Sequence, residues 1–138
     1  MSRKDIFHDS VRRGLEKEQW QISSDPLELR WDDIKVKIDI AAERLLAAER
    51  GEEKIAVEIK SFINPSPISD FHTALGQFLT YRIMLGAKEP DRVLYLAIPR
   101  EVYKTFFQSQ LAQAAVRLHK LKIIVYNPKL EEIVQWIE

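Results

Sequence analysis

Apolar residues recur along this chain with two periods, near four in some stretches and two in others, and the switches between them predict its elements. Phe7, Val11 and Leu15 fall at intervals of four with Ile6 beside them, while Arg12, Arg13, Glu16 and Lys17 take other faces; this predicts a helix from Arg3 to Gln19, with His8 next to its apolar stripe. Trp20-Gln-Ile-Ser23 reads as a short edge strand, broken by Ser24-Asp-Pro26 before an irregular stretch to Asp33. Strict alternation follows. Ile34, Val36, Ile38 and Ile40 form the apolar face of a strand whose other face carries Lys35, Lys37 and Asp39. In Lys54-Ile-Ala-Val-Glu-Ile-Lys60, Ile55, Val57 and Ile59 share one face, and Ala56, Glu58 and Lys60 share the other.

Between those strands, Ala41 to Arg50 has high helix propensity. Its position favours extended structure, with Leu45 to Glu49 paired to Lys54 to Lys60 across a turn at Arg50-Gly51-Glu52. Asn64-Pro-Ser-Pro67 is a rigid break, after which Ser69 or Asp70 caps a helix to about Leu85 that places Gln77 and Tyr81 on one face. Arg92-Val-Leu-Tyr-Leu-Ala-Ile98, ended by Pro99, is a nearly continuous apolar run, which predicts a central strand covered on both faces. Glu101 to Phe107 and Gln110 to His119 read as helices, and Lys122 to Tyr126 and Glu132 to Ile137 as strands. No repeat or linker divides the chain, so the expectation is a single α/β domain over 1–138, a mixed sheet with helices on its faces.

Composition narrows the function. A chain of 138 residues is long enough to bury about two-thirds of its unfolded surface. Cysteine is absent, which excludes disulfides, thiolate zinc sites and a cysteine nucleophile and fits a reducing compartment. The chain has no apolar run of membrane-spanning length, and Met-Ser-Arg-Lys-Asp is too polar to open a signal peptide, so a soluble, cytoplasmic protein without membrane association is expected. Lysine plus arginine equals aspartate plus glutamate, 21 against 21. Any nucleic-acid contact must therefore come from a local patch rather than a bulk positive field.

Glu58 and Lys60 occupy strand positions where apolar residues would be less costly to bury, and Asp39 stands on the strand before them. Two carboxylates are hard oxygen ligands of the kind that Mg2+ or Mn2+ accepts alongside waters and substrate phosphate. A lysine beside such an ion can position or deprotonate the attacking water and offset charge developing on a phosphodiester. The plain alternative is an exposed ion pair on a half-solvated strand, worth little. His8, His72 and His119 have no mutual metal-ligand spacing and read as surface or packing histidines. Lys35 and Lys37 either meet a phosphate backbone or line a solvated face. Trp20, Trp31 and Trp136 read as packing residues.

The arrangement of Asp39 before Glu58-Ile-Lys60 resembles the PD-(D/E)xK superfamily, whose restriction-endonuclease-like core runs αβββαβ with an aspartate followed by Glu-x-Lys on adjacent strands. Nearly the whole chain is similar to the XisH family, whose members control excision of the fdxN element. The stretches that carry this are Lys4-Asp-Ile-Phe-His-Asp9, Ile38-Asp-Ile-Ala-Ala-Glu-Arg-Leu-Leu-Ala-Ala-Glu49, Lys54-Ile-Ala-Val-Glu-Ile-Lys-Ser-Phe62, Ala74-Leu-Gly-Gln-Phe78 and Glu132-Ile-Val-Gln-Trp136. The resemblance implies a DNA endonuclease or resolvase-like domain acting in excision of a DNA element beside a site-specific recombinase and a XisI-like protein. The alternative is a non-catalytic accessory factor that binds DNA or such a partner. By position it implies Asp39 and Glu58 as ligands of Mg2+ or Mn2+, with the Ile59 carbonyl completing the shell, Lys60 as catalytic lysine and Gln77 aimed at the site. Ile38 stands where the superfamily motif has proline, and the first helix offers His8 or Asp9 where many relatives place a glutamate. A homo-oligomer is expected too, because one active site cuts one strand and edge strands offer a symmetric contact.

Overall fold

The computed structural model describes residues 5–46 and 51–138. In chain order its elements are α1 (His8–Lys17), β1 (Gln21–Ser24), β2 (Leu27–Trp31), β3 (Ile34–Ile38), β4 (Ile40–Leu45), β5 (Glu52–Ile59), α2 (Pro67–Lys88), β6 (Arg92–Pro99), α3 (Arg100–Lys104), α4 (Gln110–His119), β7 (Ile123–Asn127) and β8 (Glu132–Ile137). A 3-10 turn, Phe106–Gln108, joins α3 to α4.

Six strands form one mixed sheet in the order β1-β4-β5-β6-β7-β8. Its centre, β5-β6-β7, is parallel, and β4, β1 and β8 add on antiparallel. Parallel neighbours need crossovers, which α2 supplies between β5 and β6 and the α3–α4 segment between β6 and β7. Strand alternation sends side chains to two cores. Ala56, Leu94, Leu96 and Ile98 meet Phe71, Phe78 and Leu85 of α2, whereas Ile55, Val57, Ile59, Tyr95 and Ala97 meet Val11 and Leu15 of α1. The run α1, β1, β4, β5, α2, β6 reproduces the expected αβββαβ order.

The structure departs from expectation between Ser24 and Leu46. Leu27-Glu-Leu-Arg-Trp31 is a strand rather than irregular, paired antiparallel with β3 in a separate two-stranded ribbon. The run Ile34 to Ile40 is not one strand. It bends at Asp39, so that Ile38 packs in the α2-side core and Ile40 in the α1-side core instead of sharing a face. Ile34, at the free end of the ribbon, is exposed. The extended reading of Ala41 onward holds through Leu45, but in another register: Ile40 lies opposite Val57 and Leu45 opposite Glu52. This register buries the small Ala41 and Ala42 in the sheet and leaves Leu45 and Leu46 outside. Residues 47–50, on which part of the expected pairing and turn fall, lie outside the described residues.

Helix boundaries shift for local reasons. α1 begins at His8, after Asp5 accepts a hydrogen bond from the Phe7 amide at 2.9 Å. Ser66, not Ser69 or Asp70, caps α2: its hydroxyl accepts from the Ser69 amide at 3.4 Å. Pro67 opens the helix where no N–H donor is needed. Asp70 instead accepts from the Asn64 side chain at 2.8 Å. Trp20 is buried and stacks on Trp136 with centroids 5.7 Å apart, while Trp31 stays exposed. Among the described residues, no helix is long and apolar enough to cross a membrane.

Candidate functional site

The bend at Asp39 places the candidate site. Because β4 enters the sheet with Ile40 opposite Val57, the residue before it lands beside Glu58 near the C-terminal end of β5. Asp39 Oδ2 accepts a hydrogen bond from the Ile59 amide at 2.8 Å, and the Asp39 amide donates to Glu58 Oε1 at 3.4 Å. Lys60 follows the end of β5, where its amide donates to the Ala97 carbonyl at 2.9 Å, and its Nζ lies 3.6 Å from Glu58 Oε2. These groups line a cleft of about 700 Å3 walled by Lys35, Val36 and Lys37 of β3, Gln77 and Tyr81 of α2, and Asp5, His8 and Asp25 on the α1 side.

Electrostatically the cleft is under-compensated. Burial, and then the charge of Asp39, push the Glu58 carboxyl up from 4.5 to about 8. Burial also raises Asp39, against the opposing effects of the Ile59 amide, His8, Glu58 and Lys60. Glu58 is 5% exposed and has one ammonium within salt-bridge distance. At neutral pH the pair holds a proton that bulk water would have removed from either acid alone. Tyr81 is pushed up to about 12 by burial and by the charges of Glu58 and Asp39, so its hydroxyl is a permanent donor at the cleft. Gln77 Oε1 is buried with no hydrogen-bond partner.

All five residues singled out in the sequence, Asp39, Glu58, Ile59, Lys60 and Gln77, line this one cleft, although Asp39 does so from a bend and not from a strand. Between the two first-helix alternatives the structure separates clearly: His8 is buried at the cleft, and Asp9 is exposed outside it. Reading the sequence alone missed what holds His8. Its Nε2 lies 2.7 Å from Asp25 Oδ1, and Asp25 Oδ2 accepts from Arg12 Nη1 at 2.5 Å. Burial alone would raise Asp25, but the His8 and Arg12 hydrogen bonds bring it below its ordinary value. A second missed residue, Asp5, ties α1 to the end of β5 by accepting from the Ser61 amide at 2.9 Å. The available signal was the spacing His8, Arg12, which puts a ring and a guanidinium on one side of a helix facing the acid in Ser24-Asp-Pro26.

Asp39 and Glu58 bring two hard carboxylate oxygen donors side by side in the cleft, with Ile59 lining it beside them. Among the described residues no group of three or more His, Cys, Asp or Glu side chains is placed to hold a metal ion. An ion here would rely on two carboxylates, a carbonyl and outside oxygens.

Comparison with known proteins agrees over nearly the full length. The model of the XisH family, described as XisH protein, matches residues 1–134. A crystal structure of an XisH family protein from Nostoc punctiforme PCC 73102 is 47% identical with a TM-score of 0.88, covering 97% of this chain and 100% of that one. The crystal structure of a fdxN element excision controlling factor protein from Anabaena variabilis is 48% identical with a TM-score of 0.89, covering 98% of this chain and 100% of that one. A comparison with curated proteins gives no match. With a family model spanning the whole cleft and its supporting strands, the chain belongs to the XisH family.

Proposed function

We propose that this protein is a divalent-cation-dependent nuclease or resolvase-like domain that acts on DNA during site-specific excision of an element. The observation that carries this is the buried meeting of Asp39 and Glu58 in a cleft with a lysine 3.6 Å from Glu58. A relative described as a fdxN element excision controlling factor supports the setting. The residues present fit a hard cation. Asp39, Glu58 and the Ile59 carbonyl would offer oxygen donors, burial raises both acids against too little positive charge, and the buried Gln77 oxygen lacks a donor. Mg2+ or Mn2+ bound there would supply a Lewis acid that acidifies water and offsets charge on a phosphoryl group.

The chain's own residues have separable parts in this reading. Lys60, anchored by its amide to β6, offers an ammonium to the phosphoryl oxygens as their charge develops. Gln77 accepts from, and so orients, a water or substrate hydroxyl. Tyr81 donates to an oxygen of the substrate. Lys35 and Lys37 stand at the cleft mouth, each near Glu28, at 3.6 and 3.9 Å, and exchange that exposed acid for phosphate on binding. A site-specific recombinase and a XisI-like protein are the partners this reading expects, with a homodimer serving where both strands are cut.

A nicking assay on linear, supercoiled and branched DNA with Mg2+ or Mn2+ tests the proposal. Cleavage by the wild type should fall about 10²–10³-fold in Lys60→Ala, while metal affinity holds or rises. No cleavage of any DNA form, with DNA still bound, favours the second reading, an accessory factor. Balanced charge, 21 against 21, is the observation on that side.

A further inference from the structure

His8 is not used by the reading above, yet it is buried at the cleft more fully than Glu58. It is 3% exposed, lines the same cavity as Asp39 and Glu58, and has one ring nitrogen committed and the other free. Nε2 is held by Asp25 at 2.7 Å, Asp25 is held by Arg12 at 2.5 Å, and Nδ1 is buried with no partner. In the uncharged ring, a carboxylate on Nε2 fixes the proton there, because a carboxylate only accepts. Nδ1 then carries the lone pair. The carboxylate thus fixes both the tautomer and the orientation of the imidazole and leaves Nδ1 as its acceptor.

Lys60 is poorly placed for that duty, since its ammonium is engaged with Glu58 at 3.6 Å and serves better as a positive charge. From these contacts we infer that His8 Nδ1 is the proton acceptor of the site, with Asp25 and Arg12 as positioning residues. The inference rests on the nuclease reading. In the hydrolysis, the oxygen of a water forms a bond to phosphorus as its proton passes to Nδ1, directly or through one further water. The bond from phosphorus to the leaving oxygen breaks, and that oxygen takes a proton from solvent. The imidazolium returns its proton to solvent, so atoms and charge balance and no oxidant or reductant is needed. The charged and titratable groups that share the cleft with the ring or hold its partner are Asp25 from the β1–β2 turn, Arg12 and Asp5 from the α1 side, Asp39 from the β3–β4 bend, Glu58 of β5 and Lys60 after it, Lys35 and Lys37 from β3, and Tyr81 from α2.

Two measurements test it. Nitrogen-15 NMR of the imidazole in the metal-free wild type should show His8 protonated at Nε2 and bare at Nδ1; a proton on Nδ1 in the uncharged ring overturns the assignment without reference to activity. Cleavage of supercoiled DNA with Mn2+ should then fall at least 100-fold in both His8→Gln and Asp25→Asn, with DNA affinity within about twofold of wild type. Cleavage by either variant at the wild-type rate removes the His8 inference and leaves the nuclease reading intact. If His8→Gln does not fold, Asp25→Asn and the NMR tautomer still decide. A wild type that cuts no DNA removes both readings together.

Discussion

The strands β4 and β5 carry a charge cluster at each end, and the two are built on opposite principles. At one end Arg92, with its side chain 9% exposed, bonds Glu43 at 2.6 Å, Glu89 at 2.8 Å and the Ile55 carbonyl at 3.0 Å. Burial there would lower Arg92 and raise Glu43, but the hydrogen bonds between them, with one from Ser23 to Glu43, win on both sides. Arg92 and Glu43 are both more firmly charged than in water. At the other end two acids face each other with one lysine 3.6 Å from Glu58, and burial wins: both acids are pushed up. The first cluster is complete within the chain. The second is not, and in the proposed reading a cation from outside would take the place of the proton it holds, which is what distinguishes a structural ion network from a candidate site.

The largest expected effect breaks the complete cluster. Arg92→Ala leaves the partly buried Glu43 and Glu89 without their shared partner and should cost about 2–3 kcal/mol in denaturant unfolding, with no dependence on added Mg2+. A loss under 1 kcal/mol would show that the two ends do not differ as described.

Next comes the pH dependence of the incomplete cluster. Glu58 is raised from 4.5 to about 8, so the folded protein holds a proton that the unfolded chain releases. That contribution is full below about pH 4.5, and it is lost as pH rises through about 8. The slope approaches about 1.4 kcal/mol per pH unit for one proton, and the raised Asp39 acts with the same sign. Glu58→Gln should flatten this slope and make the metal-free protein more stable than wild type at pH 8. Urea melts at pH 5, 6.5 and 8 check it; parallel curves for the two proteins would refute it.

The smallest effect has the opposite sign at the other end of the same strands. Glu43→Gln removes the charge that Arg92 and Ser23 bond at 2.6 and 2.7 Å, and should destabilise by about 1–2 kcal/mol at pH 8. One isosteric change thus stabilises at Glu58 and destabilises at Glu43. Equal signs at both positions would erase the contrast.

The sequence made one side of this contrast legible and hid the other. Alternation in β5 was enough to put Glu58 opposite the Ile55, Val57, Ile59 face, because period-two patterning survives whatever the strand packs against. It failed at Asp39, where the alternation runs in phase from Ile34 to Ile40 across a bend that carries the chain from the ribbon into the sheet. Nothing local marks that bend. It exists because Asp39 Oδ2 and its amide bond to β5, a contact twenty residues away in sequence. β2 was hidden because Pro26 and Asp32-Asp33 make a five-residue strand look like a loop. The role of Asp25 was hidden too, since its partners His8 and Arg12 come from α1, 17 and 13 residues earlier.

The central claim is that the Asp39–Glu58 end is incomplete without a cation, and a calorimetric titration of Mn2+ into the wild type and Glu58→Ala at pH 7.5 tests it most directly. The wild type should bind the ion weakly and release protons as it does so, because the ligands must shed the proton they hold. Glu58→Ala should keep the fold and lose the binding. No detectable binding by the wild type, even with DNA present, or undiminished binding by Glu58→Ala, would contradict the account.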